Sequence, residues 1–192
     1  MTSRPAAGAF GGEFSTLVPL RDGGAVRIRA IRPDDKQRLL GHFSRLSERS
    51  VYQRFFGFKR ELTTEDLTLL TELDFVDAVG LVATAGAGDD ERILGVGRYF
   101  VDPTPAGTPR RAEVAFAVED AHQGRGIATR LLEQLLPFAR HGRIAALEAD
   151  VLSDNVHMLH VFSRMGFQTA SSRHGVVRLS LPIAPQEQRR SA

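Results

Sequence analysis

At 192 residues, 42% of them hydrophobic and 25% charged, the chain has the length and composition of one globular domain. It contains no cysteine, which excludes disulfides, thiolate nucleophiles and cysteine-held metal, and makes a reducing cytoplasm the expected location. No apolar run approaches the roughly 18 residues of a membrane span, and the N-terminus lacks a signal peptide's apolar core. The formal net charge is +2, Lys36 and Lys59 are its lysines, and the densest basic stretch, 52–60, is too short to read as a nucleic-acid surface.

In chain order, residues 1–15 are rich in Gly, Ala and small polar side chains and read as a disordered N-terminal segment. Residues 25–31 alternate with period two and predict a strand. Arg32-Pro33-Asp34-Asp35 then opens a helix, since proline suits a first turn and carboxylates favour its positive end. Ser47 is placed to cap a second helix through Val51, Tyr52 and Phe55, and Thr63 to Asp66 starts a third. Two strands, 78–84 and 92–101, flank the turn 86–90, and a third strand follows a proline-rich loop at 111–118. A helix is expected over 124–140, kinked or ended by Pro137. The strand 145–151, the helix 155–165 with Gly166 as its left-handed stop, a hairpin of 167–170 with 176–181, and a polar tail at 184–192 complete the pattern. The expected domain is therefore 16–183, α+β around one mixed sheet, without the regular βαβ alternation of a dinucleotide fold.

One junction carries chemistry. Gln123-Gly124-Arg125-Gly126-Ile127-Ala128 joins the strand 111–118 to the following helix. A helix N-terminus offers unpaired N–H groups and roughly half a positive charge, and glycines let a ligand approach the backbone closely. That combination suits a phosphate or pyrophosphate. A dinucleotide fingerprint does not continue, because residue 129 is Thr129, and no Gly-Lys-Ser/Thr loop is present.

These residues resemble the GNAT family of N-acetyltransferases. The family's cofactor motif, Arg/Gln-x-x-Gly-x-Gly/Ala at a strand–helix junction, is matched by Gln123, Gly126 and Ala128, and its second motif, an Asn opening a helix that ends in Gly-Phe, by Asn155 and Gly166-Phe167. The element order agrees over 25–182. Residues 46–56 and 112–116 look in addition like the acetyltransferase domain of bacterial protein lysine acetyltransferases, which modify acyl-CoA synthetases. Many of that group carry a cyclic-nucleotide-binding or synthetase-like domain; these 192 residues are expected to hold neither, so regulation through such domains is not carried over.

The resemblance implies a GNAT fold, with a central, mostly antiparallel mixed sheet of about seven strands flanked by helices. It implies acetyl-CoA as acyl donor, with its pyrophosphate on Gln123, Gly124, Arg125, Gly126, Ile127 and Ala128, and its pantetheine arm on the main chain of Phe116 and Val118. Asn155 would lie near that arm, or simply cap its helix. Glu113 is the candidate general base. A lysine with a pKa of about 10.4 is neutral in only about one molecule in 2,500 at pH 7, so transfer needs a proton acceptor. In a period-two strand Glu113 shares a face with Ala115 and Ala117, where an exposed carboxylate is the alternative reading.

Many relatives place a tyrosine four residues before the Gly-Phe glycine, to protonate the CoA thiolate; that position is Phe162, which has no proton to give. Ser153 and His157 are the substitutes considered. His157 and His160 lack a third ligand at suitable spacing, and no metal is expected. Tyr52, Arg54 and Phe55 would line the acceptor entrance by resemblance, or pack into the core. The expected function is direct acetyl transfer from acetyl-CoA to a primary amine, most readily a lysine side chain on a partner protein, perhaps an acyl-CoA synthetase. A small amine is the alternative acceptor, and a CoA-binding regulatory module with little turnover the alternative class; neither nucleic acid nor membrane is expected as a partner.

Overall fold

Alternating side chains along each strand build the sheet from its N-terminal edge. Strands β1 (Ser15–Pro19) and β2 (Ala25–Ala30) pair antiparallel, with Val18 opposite Val26. After a 3₁₀ turn at Pro33–Asp35 come helices α1 (Lys36–Ser44), α2 (Glu48–Phe55) and α3 (Thr64–Thr71). Strands β3 (Ala78–Ala85), β4 (Arg92–Val101) and β5 (Arg111–Val118) continue the antiparallel order. Helix α4 (Ile127–His141), strand β6 (Ala146–Leu152), helix α5 (Val156–Arg164) and the hairpin of β7 (Gln168–Arg173) with β8 (Val176–Pro182) follow. The computed structural model describes residues 11–183, and their sheet has eight strands in the order β1-β2-β3-β4-β5-β6-β8-β7.

The two faces of the sheet have different cores. On one, Val114, Phe116 and Val118 of β5 pack with Ile127, Leu131 and Leu135 of α4 and Val161 and Phe162 of α5. On the other, Ile93 and Val96 of β4 meet Leu39 of α1 and Leu67 of α3, and α2 lies against β5. Helix α4 comes close because β4 carries Gly95 and Gly97 beneath it. A Cβ on Gly97 would stand 2.7 Å from the Phe116 ring and 3.1 Å from Leu131.

Local signals explain the helix starts. Ser47 Oγ accepts from Ser50 N at 3.2 Å, Thr63 and Asp66 form a reciprocal capping box, and Asn155 Oδ1 accepts from Met158 N at 3.1 Å. Gly166 is left-handed at φ 89°, as a helix stop requires.

Three expectations need correction. The sheet has eight strands against about seven expected, because Ser15–Pro19 adds β1 at its edge. It is an edge strand ending in Pro19, and it begins at Ser15, directly after Phe14, which is buried against the Phe138 ring. Helix α4 begins at Ile127 rather than 124, because Gly124 and Gly126 are both left-handed, at φ 75° and 91°. It also runs through Pro137 to His141. The proline removes one donor at a cost of about 3 kcal/mol, and burying Phe138 and Ala139 just beyond it returns a comparable amount, about 1.5–3 kcal/mol for the phenylalanine alone. The disorder expected of the extreme N-terminus and the tail at 184–192 lies, for residues 1–10 and 184–192, outside the described residues.

Candidate active site

The site arises where two parallel strands part. β5 and β6 are register partners only from Arg111 with Ala146 to Glu113 with Glu148. Beyond Glu113 they diverge, and the polar groups on the facing edge of β5 are left without a strand. Glu119 N donates to Leu94 O of β4 at 2.9 Å, so in a two-residue repeat the N–H and C=O groups of Phe116 and Val118 point the other way, into the opening. The Val118 carbonyl accepts from Gln123 Nε2 at 3.1 Å, and Gln123 also reaches Ser50 Oγ at 3.3 Å.

A cleft of about 480 Å³ fills the opening. At its far end is the start of α4, where the amides of Ile127, Ala128 and Thr129 have no partner in their own helix. Gly126 is the N-cap in left-handed conformation, and Gly124 has open space at its Cα. These features suit a pyrophosphate on the helix axis and an extended arm along β5.

Of the residues singled out in the sequence, Glu113, Phe116, Val118, Gln123, Gly124, Gly126, Ile127, Ala128 and Asn155 all line this cleft. Arg125 does not. Its guanidinium turns outward to Asp22 at 2.5 Å and to His122 Nδ1 at 2.9 Å. Asn155 both caps α5 and borders the cleft, so its two readings hold together. Phe162 is 2% exposed, with ring contacts to Phe167 at 4.7 Å and Phe116 at 5.8 Å. His157 borders the cleft and Ser153 does not. Arg54 also lines it, whereas Tyr52 and Phe55 do not: Phe55 packs on Phe43 at 6.0 Å and Tyr52 on the exposed Phe58 at 5.5 Å. Among the described residues no group of three or more His, Cys, Asp or Glu is arranged to hold a metal ion, and no helix is long and apolar enough to cross a membrane.

Glu113 occupies the last paired position before the strands part, exposed to the cleft. Its partner on β6, Glu148, is neutralised by Arg111, and the next cleft carboxylate, Asp150, by Arg178 at 2.6 Å. Among the described residues Glu113 has no ion pair, nor has Asp154 on the other wall of the cleft. The guanidinium of Arg54 lies within electrostatic reach of it; burial pushes the Arg54 pKa down and Glu113 partly restores it.

Several contributing residues carried no sequence signal. Arg21 and Arg49 bring positive charge to the cleft. Glu119, 3% exposed just beyond β5, accepts from Arg45 at 2.7 Å and lies 3.5 Å from His42 Nδ1. Neither ring nitrogen of His42 has a hydrogen-bond partner among the described residues. Burial opposes the Glu119 charge, but His42 and Arg45 outweigh it and hold the carboxyl below its ordinary range. Asp120 accepts from Ser47 N at 2.9 Å, Ser47 Oγ at 2.7 Å and Ser50 Oγ at 3.0 Å, tying the start of α2 to the junction.

Comparison with known proteins agrees with this arrangement. The chain is 30% identical over 174 residues to "Acetyltransferase Pat" of Mycolicibacterium smegmatis, a match covering 90% of this chain and 50% of that protein. It thus spans about half the length of that relative. The crystal structure of the GNAT domain of S. lividans PAT superposes with a TM-score of 0.81 at 40% identity, covering 88% of this chain and 96% of that one. The yncA structure from Salmonella typhimurium, solved with acetyl-CoA, shares the fold at a TM-score of 0.67 and 17% identity, covering 84% and 95%. Residues 46–167, which hold the parted strands, the glycine junction and helix α5, match the profile of the Acetyltransferase (GNAT) family, and the chain belongs to that family.

Proposed function

We propose that the chain is an acetyl-CoA-dependent N-acetyltransferase that moves the acetyl group directly to a primary amine, with a protein lysine as acceptor. The observation that carries this reading is the divergence of β5 from β6 immediately after Glu113, in line with the free amides of α4. The α4 amides and the two left-handed glycines would hold the pyrophosphate, and the inward main chain of Phe116 and Val118 the pantetheine. The acceptor then approaches from the face carrying Glu113, Ala115 and Ala117.

The sequence of events follows from the side chains present. Glu113, directly or through one water, takes a proton from the ammonium, and the neutral nitrogen attacks the thioester carbonyl. The C–N bond forms, the C–S bond breaks and CoA leaves as its thiolate. A thiol of pKa about 8.5 is a tolerable leaving group near neutral pH. As the C–S bond breaks the nitrogen sheds its second proton to solvent, and because Phe162 has no proton to give, the thiolate takes one from solvent in turn. No cysteine is present to carry the acyl group, which favours one direct step in a ternary complex. The resemblance of residues 46–56 and 112–116 to bacterial protein lysine acetyltransferases supports the protein-lysine acceptor, and a small amine is the second reading.

CoA thiol release is the first assay. Glu113→Gln should lower kcat by about 10²–10⁴-fold, with acetyl-CoA affinity within a factor of about two. An unchanged rate removes Glu113 as the base, and no thiol release from the wild type with any amine or protein removes the enzyme reading in favour of a CoA-binding module. Mass spectrometry of lysate proteins treated with labelled acetyl-CoA then separates lysine acceptors from small amines.

A further inference from the structure

Arg98 is the most anomalous charged group outside the machinery described. It lies in the middle of β4, opposite Ala115 of β5 and on the same face as Glu113. It is 4% exposed, and its one hydrogen bond goes from Nη1 to the carbonyl of Leu70 at 3.4 Å. Among the described residues no carboxylate pairs with it. Burial, reinforced by the charge of a second cation, Arg54, pushes its pKa down to about 9.

The same chain shows how it treats a buried arginine whose work is structural. Arg29, 2% exposed, holds Asp35 at 2.6 Å and Glu91 at 2.8 Å. Arg98 is buried as deeply without such compensation, and an isolated buried cation is costly enough to call for an anion from outside. A small cavity of about 30 Å³ adjoins it. Arg54, Ala115 and Ala117 line both this cavity and the main cleft, so the two lie side by side on the face of β5 that carries Glu113. At about 10–15 Å³ for each water-sized atom, the cavity accepts two or three, which suits the head of a carboxylate and is tight for a tetrahedral phosphate.

We propose that Arg98, with Arg54 at its mouth, is a carboxylate-binding subsite of the acceptor site, so that the preferred acceptor carries a carboxylate within about one side-chain length of the amine presented to Glu113. This deepens the acetyltransferase reading and rests on it for the identity of the acceptor. Arg54 sits between the two functions, within reach of Glu113 on one side and Arg98 on the other. The carboxylate comes either from a free amino acid or from an acidic residue beside a protein lysine.

The test uses the full chain and acceptors matched in all but one group: lysine against lysinamide, and single-lysine peptides bearing Asp or Asn beside the lysine. The wild type should favour the acid of at least one pair by about ten-fold or more in kcat/KM, the scale of a charge-assisted fork. A preference confined to free lysine identifies an amino-acid acceptor, and one confined to the peptides identifies a protein segment. Arg98→Met should bring the acid-to-amide ratio to within about two-fold of unity, and Arg54→Gln should lower it. Arg98→Lys, which keeps the charge and loses the fork, should fall between and serves if the methionine variant does not fold. Acid and amide used equally by the wild type, or a preference that survives loss of Arg98, overturns the proposal. If no acceptor releases thiol, the enzyme reading fails on its own. The subsite is then decided by melting temperature in acetate against chloride at equal ionic strength: a rise specific to acetate and dependent on Arg98 supports it, and equal behaviour of wild type and variant overturns it.

Discussion

Arg29 and Arg98 are buried arginines on neighbouring parts of one sheet, and their surroundings predict opposite responses to the same substitution. For Arg29, burial lowers the pKa, but hydrogen bonds with Asp35 and Glu91 more than offset it and the net shift is upward. Arg29→Met would leave Asp35 and Glu91 with the longer contacts to Arg38, at 3.5 Å and 3.8 Å, and loss of one partner of a buried pair costs about 3–5 kcal/mol. Arg98→Met removes a charge with one carbonyl partner and puts a side chain of similar length into an apolar wall of Val96, Leu62 and Leu70. Stability should rise by about 1–4 kcal/mol. Urea unfolding of the two variants reads both signs, and a loss for Arg98→Met as large as that for Arg29→Met would mean Arg98 is structural after all. Neither position could be ranked from sequence: Arg29 stands in an alternating strand, where a cation reads as the solvent side, and the strand of Arg98 has no alternation to assign it a face. Which face α1 and α3 cover is decided by tertiary packing. Glu113 differs because its placement in the cleft depends on the strand's own period and on its distance from a recognisable junction.

At the scale of elements, the close packing of α4 on the sheet does two things: it buries the helix's apolar stripe and aims its free amides at the cleft. Gly97→Ala would press a methyl group to 2.7 Å from the Phe116 ring. Overpacking of this kind costs about 1–3 kcal/mol, and because Phe116 also supplies main-chain groups to the opening, acetyl-CoA affinity should fall along with the melting temperature. Gly126→Ala acts differently. Its left-handed conformation costs an L-residue about 1–2 kcal/mol, while the added Cβ meets only the flexible Arg21 side chain at 3.3 Å. The loss should therefore appear mainly in acetyl-CoA binding, measured by titration calorimetry, with a smaller change in melting. Equal effects of the two variants on both quantities would contradict this division. The junction was legible because glycine spacing, strand alternation and helix periodicity all point to one local geometry. The caps at Ser47, Thr63 and Asn155 were legible for the same reason. The parting of β5 from β6 was not, since strand divergence leaves no mark in the composition of either strand. Pro137 misled because its local penalty is outweighed by the burial of Phe138, a term that depends on Phe14 and Phe75 from other parts of the chain.

Across the whole molecule, the acid limb of stability is set by carboxylates whose charged form the fold favours. In Asp74 burial opposes the charge, but three backbone amides, from Val76, Asp77 and Ala78, each at 2.9 Å, outweigh it and lower the pKa. The hydrogen bond from Arg29 lowers that of Glu91. For Glu119 and Asp120 burial again opposes, and the contacts to His42 and Arg45, and to Ser47 and Ser50, prevail. Each group binds its proton less readily folded than unfolded, so the unfolded chain gains protons first as the pH drops. The stabilisation is complete above the unfolded carboxyl range of about 3.9–4.3 and is lost as the pH falls through the lower folded values. Melting temperature followed by circular dichroism should therefore hold from pH 7 to about 5 and drop steeply below about 4. Asp74→Asn should lower it at pH 7 and flatten the acid limb, and a limb unchanged by that substitution would place the effect elsewhere. The location of the groups adds a further expectation. Glu119 ties the end of α1, and Asp120 the start of α2, to the strand that leads into the glycine junction. Both stay charged in the folded chain until the pH drops below the ordinary carboxyl range, so these ties should give way only on the acid limb itself, and acetyl-CoA affinity, followed by titration calorimetry, should hold as long as ellipticity does. Loss of affinity at a pH where ellipticity is still intact would show instead that the cleft opens ahead of the sheet.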